Sequence, residues 1–80
     1  MVVLRIMNIL DKLNSEYQIE VKNNIAYDMQ EKNIIATSKK ELVQFYIDSF
    51  KYKTECLFDD ETETKKHYKN IIEQLEKLIK

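Results

Sequence analysis

The chain has 80 residues and contains neither glycine nor proline, where average composition predicts roughly ten of the two together. Every phosphate-binding recipe that needs a bare backbone turn, from the P-loop to the dinucleotide fingerprint, is therefore excluded. A length of 80 residues allows a single domain, and 44% hydrophobic with 34% charged residues is the balance of a globular chain. The formal charge of -1 neither advertises nor forbids a nucleic-acid partner.

The opening run Met1-Val2-Val3-Leu4-Arg5-Ile6-Met7 is apolar but too short to span a membrane and lacks the pattern of a signal peptide. It reads as an N-terminal extension over residues 1–6, with Met1 and Met7 both candidate starts. Ile6, Ile9, Leu10 and Leu13 then recur at helical spacing, with Asn8 as N-cap and Asp11 in the first turn. This helix is expected to end near Asn14 or Ser15.

The period then changes to two. Tyr17, Ile19 and Val21 alternate with polar neighbours, and Ile25, Tyr27 and Met29 repeat the pattern. Asn24 and Asn33 are expected to take the left-handed position that closes a three-residue hairpin loop, because no glycine is present to do so. That register pairs Val21 with Ile25, Ile19 with Tyr27, Tyr17 with Met29 and Met29 with Ile35, and gathers the apolar residues of the meander on one face. A two-residue Asn23-Asn24 turn would pair Glu20 with Tyr27 and scatter them. The third strand is expected from Ile34 to about Thr37.

Ser38-Lys39-Lys40-Glu41 has the form of a capping box, in which serine and glutamate satisfy each other's backbone amides. The helix it starts carries Leu42, Phe45, Tyr46, Phe50 and Leu57 on its buried side, with Val43 and Ile47 widening the stripe. Acidic residues then crowd into Glu55, Asp59, Asp60, Glu61 and Glu63, and the chain turns. A last helix from Asp59 or Asp60 places Tyr68, Ile71, Ile72, Leu75, Leu78 and Ile79 on one face. The expected fold is α+β: one domain over residues 1–80, of order α-β-β-β-α-α, with a three-stranded antiparallel meander packed by helices.

For catalysis the inventory is thin. Cys56 and His67 are the sole cysteine and histidine, no spacing signature links them, and the simplest roles are a small buried hydrophobe and a surface residue. One cysteine allows no internal disulfide and points to a reducing cytoplasm. Glu63 and His67 stand one helical turn apart, which is weak support for a metal, so no metal, cofactor or catalytic residue is assigned and the chain reads as a non-enzyme. Lys39, Lys40, Lys51 and Lys53 lie along the central helix among tyrosines, but Lys53 is rotated well away from the others. The reading they allow is a small, antitoxin-like regulatory protein that contacts nucleic acid through Lys39, Lys40 and Lys51 and forms a homodimer through the C-terminal helix.

The element order, the opening Met7-Asn8-Ile9-Leu10-Asp11, the run Ile35-Ala36-Thr37-Ser38 leading into Glu41-Leu42-Val43-Gln44-Phe45-Tyr46-Ile47-Asp48-Ser49-Phe50-Lys51, and the acidic stretch that follows together resemble the small phage-encoded anti-CRISPR inhibitors of Cas9. In that family an α-β-β-β-α-α domain acts as a decoy for PAM-bearing DNA, its acidic side chains filling the basic cleft that reads the PAM. The resemblance implies a non-enzymatic inhibitor whose partner is a host defence protein with a basic surface, such as a Cas effector. It assigns the contact to Glu55, Asp59, Asp60, Glu61 and Glu63, with no membrane involved and no direct nucleic-acid binding. The chain differs from the strongly acidic family in its near-neutral charge, and Lys65, Lys66 and Lys69 follow the acidic cluster directly.

Overall fold

The fold is described from a computed structural model over residues 9–79; the expected N-cap Asn8 and the extension over 1–6 lie outside them. Six elements follow in chain order: α1 (Ile9–Glu16), β1 (Ile19–Lys22), β2 (Ile25–Asp28), β3 (Asn33–Ala36), α2 (Lys39–Glu55) and α3 (Thr62–Lys77). The strands form an antiparallel meander in the order β1-β2-β3. This is the α+β architecture that the sequence pattern implies.

The register of the hairpins differs from the expected one. Ile19 pairs with Asp28, Glu20 with Tyr27, Val21 with Ala26 and Lys22 with Ile25. The turn between β1 and β2 is thus the two-residue Asn23-Asn24, and both residues are left-handed, with φ of 54° and 66°. A turn of that hand matches the right-handed twist of the strands it joins, and asparagine tolerates it best after glycine. The local turn geometry outweighs the tidy segregation of large apolar residues onto one face.

The second loop also departs from expectation. Asp28 Oδ1 accepts hydrogen bonds from the amides of Gln30 and Glu31 at 2.9 and 3.0 Å, and the Lys32 amide donates to the Asp28 carbonyl at 2.8 Å. Lys32, not Asn33, takes the left-handed conformation, with φ of 56°. Ala26 pairs with Ala36 while Tyr27 pairs with Ile34, so Ile35 is the extra residue of a β-bulge. Ile34 therefore faces out, Ile35 packs against the core and Ala36 is buried.

The inner face of the sheet carries Ile19, Ala26 and Ala36 into a core completed by Leu10 and Leu13 of α1, Leu42, Val43, Tyr46, Ile47 and Phe50 of α2, and Ile71 and Leu75 of α3. The small alanines let α2 approach the strands closely, and α3 lies against both α2 and α1. Tyr68, Ile72, Leu78 and Ile79 add partly buried surface, so the apolar stripe expected on the last helix is engaged within the chain. Phe45, expected inside, is 40% exposed and rests edge-on against Tyr46 at 5.6 Å between ring centres. Leu57 is only half-buried, because α2 has ended two residues before it.

Ser38 caps α2 as expected, its Oγ accepting from the Glu41 amide at 3.1 Å. The return half of the box is different: Glu41 Oε2 accepts from the Thr37 hydroxyl at 2.7 Å. One charge-assisted side-chain bond thus replaces the expected contact with the Ser38 amide.

Candidate interaction site at the α2–α3 turn

The end of α2 is built without glycine. Cys56 stays right-handed, with φ of -82°, and its amide donates to the carbonyls of Tyr52 and Lys53 at 3.2 Å, tightening the last turn. Leu57 N–H then donates to the Thr54 carbonyl at 3.2 Å. Next, Phe58 to Glu61 close a turn at both ends. The Glu61 amide donates to the Phe58 carbonyl at 3.0 Å, and the Phe58 amide donates to Glu61 Oε2 at 2.8 Å. Asp59 and Asp60 form the tip, as aspartates often do in turns.

This loop delays α3 until Thr62, later than the expected start at Asp59 or Asp60. The reason is the bond just described: the Glu61 carboxylate is turned back onto the Phe58 amide, so Glu61 stands at the N-cap position and its side chain caps nothing in α3. Its carbonyl accepts the first helical bond, from the Lys65 amide at 3.1 Å.

The five acidic residues therefore have different situations. Glu61 is half-buried and holds the turn. Asp59 is fully exposed and lies 3.7 Å from the Lys65 ammonium, a loose surface pair that solvent screens. Glu55 on the last turn of α2, Asp60 at the tip and Glu63 on the first turn of α3 are exposed and carry no hydrogen bond or ion pair among the described residues. Between them stands Phe58, 77% exposed. An aromatic ring held out in water by a stapled turn is the residue that sequence patterning did not single out. The available signal was its position just past the helical stripe, directly followed by Asp59-Asp60-Glu61.

Beside the acidic tip, a shallow groove of about 580 Å³ runs between α2 and α3. Lys51, Lys65, Lys66 and Lys69 rim it, Glu55 and Thr62 mark its end near the turn, and Thr54 and Ile72 contribute to its walls. The end of the molecule is thus bipolar, with unpartnered carboxylates at the tip and ammonium groups along the seam.

Lys39 and Lys40 lie at the start of α2, while Lys51 lies three turns further on in the groove. Lys53 is turned inward: its ammonium donates to the Tyr17 hydroxyl at 2.7 Å and sits 4.6 and 4.9 Å from the ring centres of Tyr17 and Phe50. It is a structural cation over two aromatic faces.

Cys56, expected to be buried, is exposed, since it occupies the helix end and not the stripe. His67 is exposed and sits beside the Tyr68 ring, and no hydrogen bond joins it to Cys56. Among the described residues, no group of three His, Cys, Asp or Glu side chains is placed to hold a metal ion, and no helix is long and apolar enough to cross a membrane. No family model, curated protein or solved structure matches the chain.

Proposed function

We propose that the protein is a non-enzymatic inhibitor of phage or mobile-element type, which acts by seating the α2–α3 turn in a basic, nucleic-acid-binding surface of a host defence protein. The observation that carries this reading is Phe58, 77% exposed among the unpartnered carboxylates of Glu55, Asp60 and Glu63. An exposed aromatic anchor flanked along the chain by carboxylates has the form of a binding hot spot, in which the ring fills a pocket and the charges steer and register the partner. Rows of carboxylates oppose the same lysines and arginines that phosphates would. The resemblance to the anti-CRISPR inhibitors supplies the partner class, a Cas9-type effector with its PAM-reading cleft. The Phe58–Glu61 staple holds the turn in one shape before binding, which reduces the ordering entropy that association costs.

The test is competition between the protein and a PAM-bearing duplex for a panel of purified Cas9–guide RNA complexes. The native protein blocks DNA loading on at least one of them. The triple variant Glu55→Lys, Asp60→Lys, Glu63→Lys and the single variant Phe58→Ala lose that block, while Glu61 is left in place to keep the turn intact. A native protein that leaves DNA loading unchanged across the panel, or a triple variant that inhibits as well as the native protein, defeats the reading.

A second reading takes nucleic acid itself as the partner, and the groove rimmed by Lys51, Lys65, Lys66 and Lys69 favours it. Salt separates the two. A decoy has no affinity for a DNA duplex at low ionic strength, whereas a groove that neutralises phosphates binds it with an affinity that falls steeply as salt rises.

A further inference from the structure

The helices cover one face of the sheet, and the other face is bare but not polar. The pairs Glu20–Tyr27, Lys22–Ile25 and Tyr27–Ile34 put these residues on a common outer side, and Met29 joins Glu20, Lys22, Ile25 and Tyr27 around the same shallow hollow. Ile25, Met29 and Ile34 are 40%, 47% and 58% exposed. An antiparallel sheet with one solvated face normally alternates apolar inside with polar outside. Here the outer side of β2 and β3 is apolar instead, and a contiguous patch of this kind marks an interaction surface.

Charge placement says what covers it. The only charged residues that the sheet pairing puts on this face are Glu20 and Lys22, one acid and one base two positions apart on the edge strand β1. A twofold axis lying in the plane between two such faces, across the strands and level with Val21, brings β1 over its own copy running the other way. Glu20 then faces Lys22 of the second copy, and Lys22 faces its Glu20. Because Glu20 pairs with Tyr27 and Lys22 with Ile25, the same operation sets Ile25 of each copy over Tyr27 of the other. A closed dimer requires a surface complementary to itself, and a face with a matched acid and base at one margin and apolar residues across the rest has that property. A foreign partner would set no such reciprocal requirement on Glu20 and Lys22.

We infer that the outer face of the sheet is a homodimer interface, in which two sheets pack face to face with reciprocal Glu20–Lys22 pairs along one margin. The C-terminal helix does not supply the contact, since its apolar side is occupied by α2 and α1. Three strands of four residues offer less area than the roughly 800 Å² per partner of a standard interface, so the dimer is weak and forms at high protein concentration. The acidic turn takes no part in it, and the inference stands apart from the inhibitor reading.

The experiment is sedimentation equilibrium on the full chain up to about 1 mM, the range in which a weak interface populates a dimer, for native protein, Glu20→Lys, Lys22→Glu and an equimolar mixture of the two variants. Native protein approaches dimer mass as concentration rises. Each single reversal turns two attractive pairs into two repulsive ones and weakens association by about tenfold. The mixture of the all-basic and all-acidic edges recovers association to the native level or beyond. Both substitutions are at exposed positions, and circular dichroism confirms that each variant remains folded. Ile34→Lys, also exposed, abolishes dimerisation at every concentration. A native protein that stays monomeric throughout, single reversals as tight as native, or a mixture no tighter than its components overturns the inference.

Discussion

The Tyr46 hydroxyl donates to Asn14 Oδ1 at 2.7 Å, joining the middle of α2 to the end of α1 across 32 residues. The ring around that hydroxyl is 2% exposed. Burial first, then the neighbouring Tyr17 and Asp28, push the phenol far above its ordinary range. The folded chain therefore keeps Tyr46 neutral at pH values where the unfolded chain ionises it. Below pH ~10 both states hold the proton and stability is unaffected; above it the unfolded state gains the charge, and stability falls by up to about 1.4 kcal/mol per pH unit. Urea unfolding between pH 8 and 11.5 checks this. The native protein weakens above pH 10, and Tyr46→Phe, though less stable at neutral pH for want of the Asn14 bond, loses less of its stability over the same interval. Parallel curves for the two proteins refute the assignment.

Left-handed backbone without glycine is a second source of testable behaviour. Gln18 and Lys32 have φ of 57° and 56°, a conformation that costs a residue with a Cβ roughly 1–2 kcal/mol. Gln18 follows the end of α1, where glycine is the usual occupant. Lys32→Gly removes the strain without touching the Asp28 cap, since the capping bonds use the amides of Gln30, Glu31 and residue 32. It raises stability by about 0.5–1 kcal/mol, less than the full strain because glycine gains freedom when unfolded. The opposite change, Asn24→Val, puts a β-branched residue at φ of 66° and destabilises the hairpin by more than 1 kcal/mol. Thermal melts of both variants measure the difference.

These residues also show where the sequence was legible. Periodicity of 3.6 and of 2 located the three helices and the first two strands among the described residues, because each element must bury one side to be stable at this size, while the third strand followed from continuing the meander. The Ser38 cap was readable because its geometry is local. The hairpin register was not, because two turns compatible with Asn23-Asn24 differ by one residue and the apolar pattern favoured the wrong one. The structure places the small Ala26 and Ala36 inward and leaves Ile25, Tyr27 and Ile34 outward, a choice set by the left-handed two-residue Asn23-Asn24 turn and the bulge at Ile35. At the α2–α3 turn the carboxylates were visible in the sequence, but their separate circumstances were not. Only the three-dimensional bond from the Phe58 amide to Glu61 distinguishes the residue that shapes the turn from those free to meet a partner.

That distinction separates shape from charge. Glu61→Gln keeps an oxygen that can accept from the Phe58 amide, whereas Glu61→Ala leaves that amide to solvent. Both remove one negative charge. If the turn works as a preformed anchor, amide hydrogen exchange at Phe58 accelerates at least about tenfold in Glu61→Ala, corresponding to about 1.4 kcal/mol of lost protection, and changes far less in Glu61→Gln. Partner binding follows the same order. Equal loss of binding in the two variants assigns the role of Glu61 to its charge alone.

Lys53 tests the aromatic cluster in the same manner. Its ammonium bonds the Tyr17 hydroxyl and lies against the rings of Tyr17 and Phe50, while Phe50 meets Tyr68 at 5.3 Å. The cation thereby connects the α1–β1 turn to α2, and through Phe50 to α3. Lys53→Met retains the apolar stem and removes the charge, so it isolates the cation contacts from packing. Stability falls by about 1 kcal/mol, the combined scale of a partly buried hydrogen bond and an ammonium–ring contact. A surface lysine of the kind that neutralises phosphate would show no such loss, and Lys51→Met, which removes an exposed ammonium from the groove, changes stability by less than about 0.5 kcal/mol. Urea denaturation of the two variants side by side therefore decides whether Lys53 belongs to the fold or to a binding surface.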